Sequence, residues 1–385
     1  MTMLKRSLSA LALFALCVPS SAFAAKIKIG FVNSMTGPEA PIGEHLTNGV
    51  TLALEDLRKK GIDVQLVKED DTGKPEKSMA AFEKMATRDK VVGVVGPYSS
   101  KCANAIARLA EKYKVPLLIP VASKDEITRQ KLKWTFRLGA TTDDYATILL
   151  DMASSLGKQS TVAIIHENTD FGTSAARSAV QYAAKKGLRV VAQEAYSAGS
   201  PDYRSTLAAI KAKKPDLVFM VSYVADAILL MRQSRELGLE PQAFLGAGAG
   251  FATAAFAKET NISSNIFSST QWTPEVKWPG AAEFGARYKS RFGKEPTYHA
   301  ANAYASMMIM AETAARGVTP QKTRDLLKTG QWNGIMGPVK FADHNGYTNQ
   351  NNHQMLVEQI QAGVHHTVYP AGYGPTKAVY PFPGW

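Results

Sequence analysis

Short, apolar, β-branched segments alternate with longer amphipathic segments almost to the end of the chain, and this alternation constrains the fold more than any other feature. Apolar runs of this length, bounded by turn residues, are typical of buried strands. Strands that alternate with helices form an open parallel sheet with helices on both faces. The predicted strands are Ile27–Asn33, Val64–Glu69, Val91–Gly96, Pro116–Pro120, Thr161–His166, Leu188–Gln193, Leu217–Val221 and Ala243–Gly246.

The predicted strands fall into two blocks of four, because the alternation restarts at Thr161 after the irregular stretch Ser123–Thr142. A single hydrophobic core stops growing at about 250–300 residues, and this chain has 385. Thr297–Arg316 is a long predicted helix, and the hairpin predicted around Ala362-Gly363 indicates that the chain crosses back between the blocks. We therefore predict an α/β fold of two Rossmann-like lobes, with a ligand cleft where the carboxyl ends of the strands meet.

The first 24 residues have the pattern of a cleaved export signal. Lys5 and Arg6 precede the apolar stretch Leu8–Val18, and Ala22–Ala24 contains the small residues of a cleavage site. The apolar stretch is shorter than the ~20 residues that span a bilayer as a helix. Lipid attachment at Cys17 is the alternative, although no small residue precedes that cysteine. We expect a periplasmic protein.

Composition and motifs argue against several classes of function. The net charge of +12 is spread over lysine pairs at predicted helix ends, which is typical of solvated helix termini rather than of a nucleic-acid surface. The chain lacks the GxSxG, HExxH and GxxxxGK[ST] motifs, and its seven histidines do not have metal-ligand spacing. Gly246–Gly250 imitates a dinucleotide-binding turn without its third spacing. We predict a monomer without catalytic activity, metal or cofactor.

Two neighbouring strand ends carry hydroxyl groups and free backbone groups. Gly96–Ser100 ends one predicted strand and opens a helix, so the unpaired N–H groups of the helix start lie beside two serine hydroxyls. Ser99 or Ser100 acting only as a helix cap is the alternative. Ile119–Ser123 ends the next strand with a further hydroxyl. Because the carboxyl ends of parallel strands meet at one edge, we predict a shared pocket for a carboxylate.

Two aromatic residues occupy corresponding positions in the second block. Phe171 lies in the loop His166–Gly172 just before a predicted helix, and Tyr223 follows the strand Leu217–Val221. Aromatic rings at strand ends either stack on ligands or fill the core. Both interpretations stay open on the sequence alone.

Segments spread over nearly the whole mature chain resemble the leucine/isoleucine/valine-binding protein family, whose members are periplasmic receptors of ABC importers. The segments are IKIGFVNSMTGPEAPIG, GPYSS, VPLLIPVAS, VAIIHENTDFG and YHAANAY, in the family's order. The resemblance implies the type I periplasmic-binding-protein fold, with three hinge crossings near Thr141–Tyr145, Ser269–Thr273 and Val339–Asn345. It assigns residues 25–141 and 272–340 to the first lobe and residues 142–271 and 341–385 to the second.

The resemblance also implies roles for individual residues. Ser100 would bind the ligand carboxylate with the backbone at Val121 and the hydroxyl of Ser123, and Phe171 and Tyr223 would cover the ligand from the second lobe. Ile42 occupies a wall position that is often aromatic in the amino-acid binders. The predicted ligand-binding residues are Ile42, Tyr98, Ser99, Ser100, Val121, Ala122, Ser123, Phe171, Tyr223 and Gly248.

Gly248 departs from the family pattern. The amino-acid binders of the family have a glutamate after the eighth strand that pairs with the ligand ammonium, and here that position falls at Gly248. A buried ammonium needs a counter-charge, because leaving it unpaired costs several kcal/mol. Either another acid, such as Asp143, Asp226 or Glu275, takes this role, or the ligand has no amino group.

The sequence therefore predicts a periplasmic substrate-binding component of an ABC importer of the branched-chain amino acid type. It would bind an amino acid or a related small carboxylate by hinge closure and deliver it to the transmembrane subunits of an ABC permease. One alternative is a receptor for an aromatic or aliphatic carboxylate without an amino group. The other is a ligand-sensing domain for a membrane partner.

Overall fold

In the computed structural model, the described residues are 26–385, so the export signal predicted at residues 1–24 lies outside them. The first third of these residues contains β1 (Ile27–Asn33), α1 (Ala40–Lys59), β2 (Val64–Asp70), α2 (Pro75–Lys84), β3 (Gly93–Val95), α3 (Ser100–Tyr113), β4 (Leu117–Ile119), α4 (Glu126–Arg129) and β5 (Thr135–Arg137). The middle contains α5 (Thr142–Leu156), β6 (Thr161–Glu167), α6 (Asp170–Lys185), β7 (Arg189–Tyr196), α7 (Arg204–Ala212), β8 (Leu217–Val221), α8 (Val224–Glu236), β9 (Ala243–Gly246), α9 (Ala254–Ala257), α10 (Thr260–Ser263) and β10 (Phe267–Thr270). The last part contains α11 (Ala281–Phe292), α12 (Tyr298–Ala315), α13 (Pro320–Thr329), β11 (Trp332–Gly334), β12 (Gly337–Val339), β13 (Phe341–His344), β14 (Tyr347–Asn351), β15 (Leu356–Gln361) and β16 (Val364–Tyr369).

The strands form two seven-stranded sheets, which confirms the predicted two-lobe α/β architecture. The first sheet has the order β13-β14-β5-β4-β3-β1-β2 and the second has the order β16-β15-β10-β9-β8-β6-β7. In each sheet the central strands are parallel and the late strands add an antiparallel edge. The hairpin predicted near the end of the chain is β15 and β16. A further pair, β11 and β12, stands apart from both sheets.

The chain crosses between the lobes three times, before α5, after β10 and between β14 and β15. The first two crossings lie near the predicted positions, but the third lies between Asn351 and Leu356 rather than near Val339–Asn345. The residues after 340 that were assigned to the second lobe include β13 and β14, which belong to the first sheet. The reason is the parallel pairing of Gln350 with Arg137 at the edge of that sheet, a long-range contact without a local sequence signal.

Two of the shortest strands were missed. The stretch Ser123–Thr142, expected to be irregular, contains β5, and β10 was not predicted. The middle of β5 is Phe136, but the strand ends on Arg137, whose guanidinium is completely buried. A three-residue strand with a charged terminus does not form the apolar run by which a buried strand is recognised.

In the first lobe, α1 and α12 cross each other at close range. A Cβ atom added to Gly49 in α1 would lie 2.2 Å from the backbone oxygen of Ala300 in α12. α12 is buried on nearly all sides and rich in alanine and methionine, so its backbone approaches its neighbours closely. Among residues 26–385, no helix combines the length and the apolar character needed to cross a bilayer.

We expect Gly49→Ala to destabilise the protein by about 1–3 kcal/mol or more, because the new methyl group forces the two helix backbones apart. The free energy of unfolding in urea measures the effect. Gly334→Ala is the matched control, since a Cβ there meets no atom within 4 Å. Equal stability of the two variants would show that the crossing of α1 and α12 is not tightly packed.

Candidate ligand-binding cleft

The ends of β3 and β4 form one connected structure. Gly96 turns the chain after β3 with φ of +115°, and a Cβ atom at this position would lie 2.0 Å from the oxygen of Val32. Helix α3 then starts at Ser100, whose Oγ accepts hydrogen bonds from the backbone N–H groups of Ser123 and Lys124, both at 3.2 Å. The Ser100 hydroxyl, just after β3, therefore fixes the position of the loop that follows β4. The side-chain hydrogen of Ser100 and the positive end of the α3 dipole are left for an anion.

Arg137 holds the loop that follows β4 in place. Its guanidinium donates to the backbone oxygens of Ala122 and Lys124 at 3.2 and 2.8 Å and to Thr128 Oγ1 at 2.6 Å. Its Nε donates to Gln350 at 2.6 Å. Burial lowers the pKa of Arg137, and the neighbouring charge of Asp125 is the largest opposing effect. Sequence reasoning did not identify this residue, because the burial of an arginine has no local sequence signal and one of its partners, Gln350, lies 213 residues away.

A small cavity lies between the lobes directly above these loops. Its free volume is about 20 Å³, which is room for about one water molecule, so the surrounding side chains nearly fill it in this arrangement of the lobes. The lining residues are Tyr98, Ser100, Val121, Ala122, Ser123, Tyr145, Phe171, Tyr223, Ala249, Tyr298 and His299.

The structure brings most of the predicted ligand-binding residues together in this lining, but not all of them. Ile42 is packed in the core of the first lobe, and the Oγ of Ser99 is buried without a hydrogen-bond partner. Gly248 lies behind the lining, where a Cβ atom would be 3.2 Å from the Tyr298 hydroxyl. For all ten residues, contact with a ligand stays a prediction.

Four lining residues were not predicted. Tyr298 and His299 open α12 in the segment YHAANAY, which contributed to the resemblance without being assigned to the site. Tyr145 lies in the first turns of α5, just after the first crossing, and Ala249 follows Gly248. A signal for Tyr298 and His299 existed, since an aromatic pair at a helix start is unusual, but only the tertiary structure places that helix start at the cleft.

Aromatic rings from both lobes form most of the cavity wall. Tyr98 of the first lobe lies 5.8 Å, between ring centroids, from Tyr223 of the second lobe, and Phe171 lies 6.0 Å from Tyr223. Tyr298 and His299 are stacked at 3.9 Å. Such rings favour a flat or branched apolar ligand body, which they can contact face-on or edge-on.

The cavity lining carries no charge at neutral pH. Burial raises the pKa of Tyr98, Tyr223 and Tyr298 well above the usual tyrosine value and lowers the pKa of His299 well below the usual histidine value. No aspartate or glutamate is among the lining residues. Within residues 26–385, no group of three or more His, Cys, Asp or Glu side chains could hold a metal ion. An ammonium group in this cavity would lack a counter-charge.

The three acids considered as substitutes for the missing glutamate are engaged elsewhere. Asp143 pairs with Arg129 at 2.7 Å, and Asp226 accepts from the Tyr203 hydroxyl at 2.9 Å. Glu275 accepts from the backbone N–H of Thr367 at 2.8 Å. None of the three lines the cavity, so the structure does not support their role as an ammonium partner.

Contacts between the lobes surround the mouth of the cleft. Lys124 of the first lobe lies 2.8 Å from Asp170 of the second, and the Ser178 hydroxyl donates to Asp125 at 3.0 Å. The backbone N–H of Asp125 donates to Ser174 Oγ at 3.2 Å. These bonds, together with the ring contacts, describe a closed arrangement of the two lobes.

Glu167 is a buried acid just behind the lining, at the end of β6. Its carboxyl accepts from the backbone N–H of Tyr223 at 3.2 Å and from Thr169 Oγ1 at 2.7 Å. Burial raises its pKa from 4.5 to about 8. The carboxyl is therefore largely protonated at neutral pH in the folded protein and ionised in the unfolded chain.

We expect Glu167→Gln to remove a pH dependence of stability. Because the folded pKa is raised, the native protein binds a proton that the unfolded chain has lost, so this contribution to stability is full below about pH 4.5 and is lost as the pH rises to about 8. The stability of the variant relative to the native protein should therefore increase between these pH values, by an amount on the order of 4–5 kcal/mol at the upper end. Melting temperatures of both proteins from pH 5 to 9 test this. A constant difference across that range would contradict it.

Comparisons with known proteins agree with this architecture. Residues 26–364 match a family model described as periplasmic binding protein. The Leu/Ile/Val-binding protein homolog 7 of Brucella suis is 27% identical over 388 residues, which cover 95% of this chain and 97% of the relative.

Two solved structures share the fold. A branched-chain amino acid transporter substrate binding protein of Streptococcus pneumoniae in complex with isoleucine has a TM-score of 0.79 and 23% identity, covering 92% of this chain and 100% of that one. A solute binding protein of an ABC transporter of Rhodopseudomonas palustris in complex with 3,4-dihydroxybenzoic acid has a TM-score of 0.77 and 21% identity, covering 87% and 93%.

Proposed function

Because the chain belongs to the periplasmic binding protein family, we propose that it is the substrate-binding component of an ABC importer and binds a small carboxylate without an amino group. The ligand would be aromatic or aliphatic and would be enclosed when the two lobes close. The protein would act as a periplasmic monomer after removal of its export signal, perform no chemistry, and deliver the ligand to the transmembrane subunits of a permease.

The single observation that carries this proposal is the contrast between the two ends of the cavity. One end offers the hydroxyls of Ser100 and Ser123 and the start of α3 to a carboxylate. The rest of the lining is aromatic or aliphatic and uncharged, with no acid to pair with an ammonium. The complex of the Rhodopseudomonas palustris protein with 3,4-dihydroxybenzoic acid supports the idea that this fold accommodates such ligands.

An amino acid ligand is the second candidate. It is supported by the names of the Brucella relative and by the isoleucine complex of the Streptococcus pneumoniae protein. For this candidate, the aromatic rings would have to stabilise the ammonium by cation–π interactions, which contribute ~0.5–2 kcal/mol each, in place of an ion pair.

A thermal-shift screen of the mature protein, residues 25–385, tests the proposal. The panel contains leucine, isoleucine, valine and phenylalanine beside benzoate, 3,4-dihydroxybenzoate and 4-methylpentanoate. A ligand at 100 times its Kd stabilises the folded protein by about 2.7 kcal/mol, which is a visible shift. We expect stabilisation only by acids without an amino group. Stabilisation by the amino acids alone would establish the second candidate, and no response would overturn both.

A further inference from the structure

Two tyrosine hydroxyls lie together beside the proposed carboxylate site. The oxygens of Tyr145 and Tyr298 are 3.3 Å apart, and both residues line the cavity. Tyr145 comes from the first turns of α5 in the second lobe and Tyr298 from the start of α12 in the first, so the pair spans the two lobes. This pair lies where the missing side chain of Gly248 would point, since a Cβ atom there would be 3.2 Å from the Tyr298 hydroxyl and 3.5 Å from Cζ of Tyr145.

The hydrogen-bond direction at Tyr145 is set by Gln271. The side-chain oxygen of Gln271 accepts from the backbone N–H of Ala140 at 3.0 Å and from the amide of Asn302 at 2.9 Å. Because a backbone N–H can only donate, the orientation of the Gln271 amide follows. Its Nε2 must then donate to the Tyr145 oxygen, at 2.6 Å.

The direction at Tyr298 is set in the same way. The backbone N–H of Ala249 donates to the Tyr298 oxygen at 3.1 Å. Each phenol oxygen therefore already receives one N–H donor, and only one hydroxyl hydrogen fits between the two oxygens. At least one of the two phenol hydrogens has to be donated outside the pair.

The hydroxyl of the neighbouring Ser100 has the same hydrogen-bond arrangement: its oxygen accepts from backbone N–H groups and its hydrogen remains to be donated. Ser100 Oγ receives the N–H groups of Ser123 and Lys124, so its own hydrogen is free to be donated. The Ser123 hydroxyl lines the same cavity. This side of the cavity is thus rich in donors whose oxygens are already occupied by fixed N–H groups. While the two phenols are hydrogen-bonded to each other, one phenol lone pair remains, so the tyrosine pair can accept at most one of the three hydrogens of an ammonium and supplies no negative charge.

We propose that Tyr145 and Tyr298 are specificity-determining residues that select a ligand with an acceptor oxygen on the carbon next to its carboxylate, namely a 2-oxo carboxylate. This inference rests on the proposed function, because it assumes that the carboxylate lies at Ser100 and Ser123. A ketone oxygen has two lone pairs and no hydrogen, so it accepts from the tyrosine pair without disturbing the donors behind it. A 2-ammonium group at the same place finds one free phenol lone pair, no counter-charge, and at least one hydroxyl hydrogen that it cannot accept.

Ligands that share a carbon skeleton test this directly. Isothermal titration of the mature protein would compare 4-methyl-2-oxopentanoate, 4-methylpentanoate and leucine, and then phenylglyoxylate, phenylacetate and phenylglycine. A neutral hydrogen bond contributes about 0.5–1.5 kcal/mol, so we expect the 2-oxo acid to bind up to about tenfold more tightly than its unsubstituted analogue in at least one series. The 2-amino acid should bind most weakly.

Tyr298→Phe removes one hydroxyl and keeps the ring. It should abolish the preference for the 2-oxo acid while leaving the affinity for the unsubstituted acid nearly unchanged. Tyr182→Phe is the matched control, because its hydroxyl contacts Asp151 away from the cavity. If Tyr298→Phe does not fold, as judged by its melting temperature, the relative affinities of the native protein for the 2-oxo, unsubstituted and 2-amino acids still test the proposed preference.

The outcomes separate this inference from the proposed function. Equal binding of 2-oxo and unsubstituted acids overturns the inference and leaves the proposed function standing. A preference for 2-oxo acids that Tyr298→Phe and Tyr145→Phe both retain overturns the role of the tyrosine pair. Preference for the 2-amino acids, or no binding of any acid in either series, overturns both.

Discussion

Replacing Ser100 with alanine should weaken carboxylate binding by about 10- to 100-fold, because a hydrogen bond to a charged group contributes about 1.5–3 kcal/mol. The substitution removes the hydroxyl that faces the anion. It also leaves the N–H groups of Ser123 and Lys124 without their acceptor, so the second loop is held less firmly. Isothermal titration with the tightest ligand from the screen measures the loss.

Ser99→Ala is the matched control for this experiment. Ser99 is adjacent in sequence and equally buried, but its Oγ has no hydrogen-bond partner and does not line the cavity. We expect its removal to change binding by less than about twofold and stability by no more than about 0.5 kcal/mol. If both alanine variants bind alike, the carboxylate does not lie at the start of α3.

Replacing Arg137 with methionine should destabilise the protein by about 3–5 kcal/mol, which is the usual cost of removing one partner from a buried charged network. Arg137 is completely buried and donates to two backbone oxygens and two side chains. Methionine fills much of the same volume but leaves these acceptors unsatisfied and the buried carboxyl of Asp125 without its neighbouring positive charge. Urea unfolding followed by circular dichroism measures the loss.

Arg291→Met provides the comparison for a surface arginine. Its guanidinium lies 3.6 Å from Glu55 and its side chain is largely exposed, so the change should stay within about 0.5 kcal/mol. Arg137→Met should in addition weaken ligand binding, because the loop that carries Ser123 loses its support. A loss of stability below about 1 kcal/mol would show that the Arg137 network is not a main support of the first lobe.

The parts of the fold that sequence reasoning predicted are those with strong local patterns. The strand Leu217–Val221 is a continuous apolar run and has the predicted bounds, and the amphipathic helix α3 begins at Ser100, where Gly96–Ser100 was predicted to open a helix. The number of lobes followed from chain length and from the restart of the alternation at Thr161. These features depend on residues near one another in the chain.

The parts that were missed depend on distant contacts. β13 and β14 belong to the first lobe because Gln350 pairs with Arg137, far away in sequence. In the site, Ser100, Ser123 and Phe171 have visible positions at strand ends. Tyr145 and Tyr298 acquire their place only when the starts of α5 and α12, from different parts of the chain, meet.

The sequence by itself determined the class of the fold, the restart of the alternation and the resemblance to a binding-protein family, and that resemblance implied the departure at Gly248. Hydrophobic periodicity, turn residues and motif order are local properties, and the sequence displays them directly. Only the tertiary structure decided that no other acid lines the cavity and that two tyrosine hydroxyls occupy the place next to the proposed carboxylate site. The physical reason is that burial and hydrogen-bond direction depend on which distant atoms surround a side chain, and the fold alone determines those neighbours.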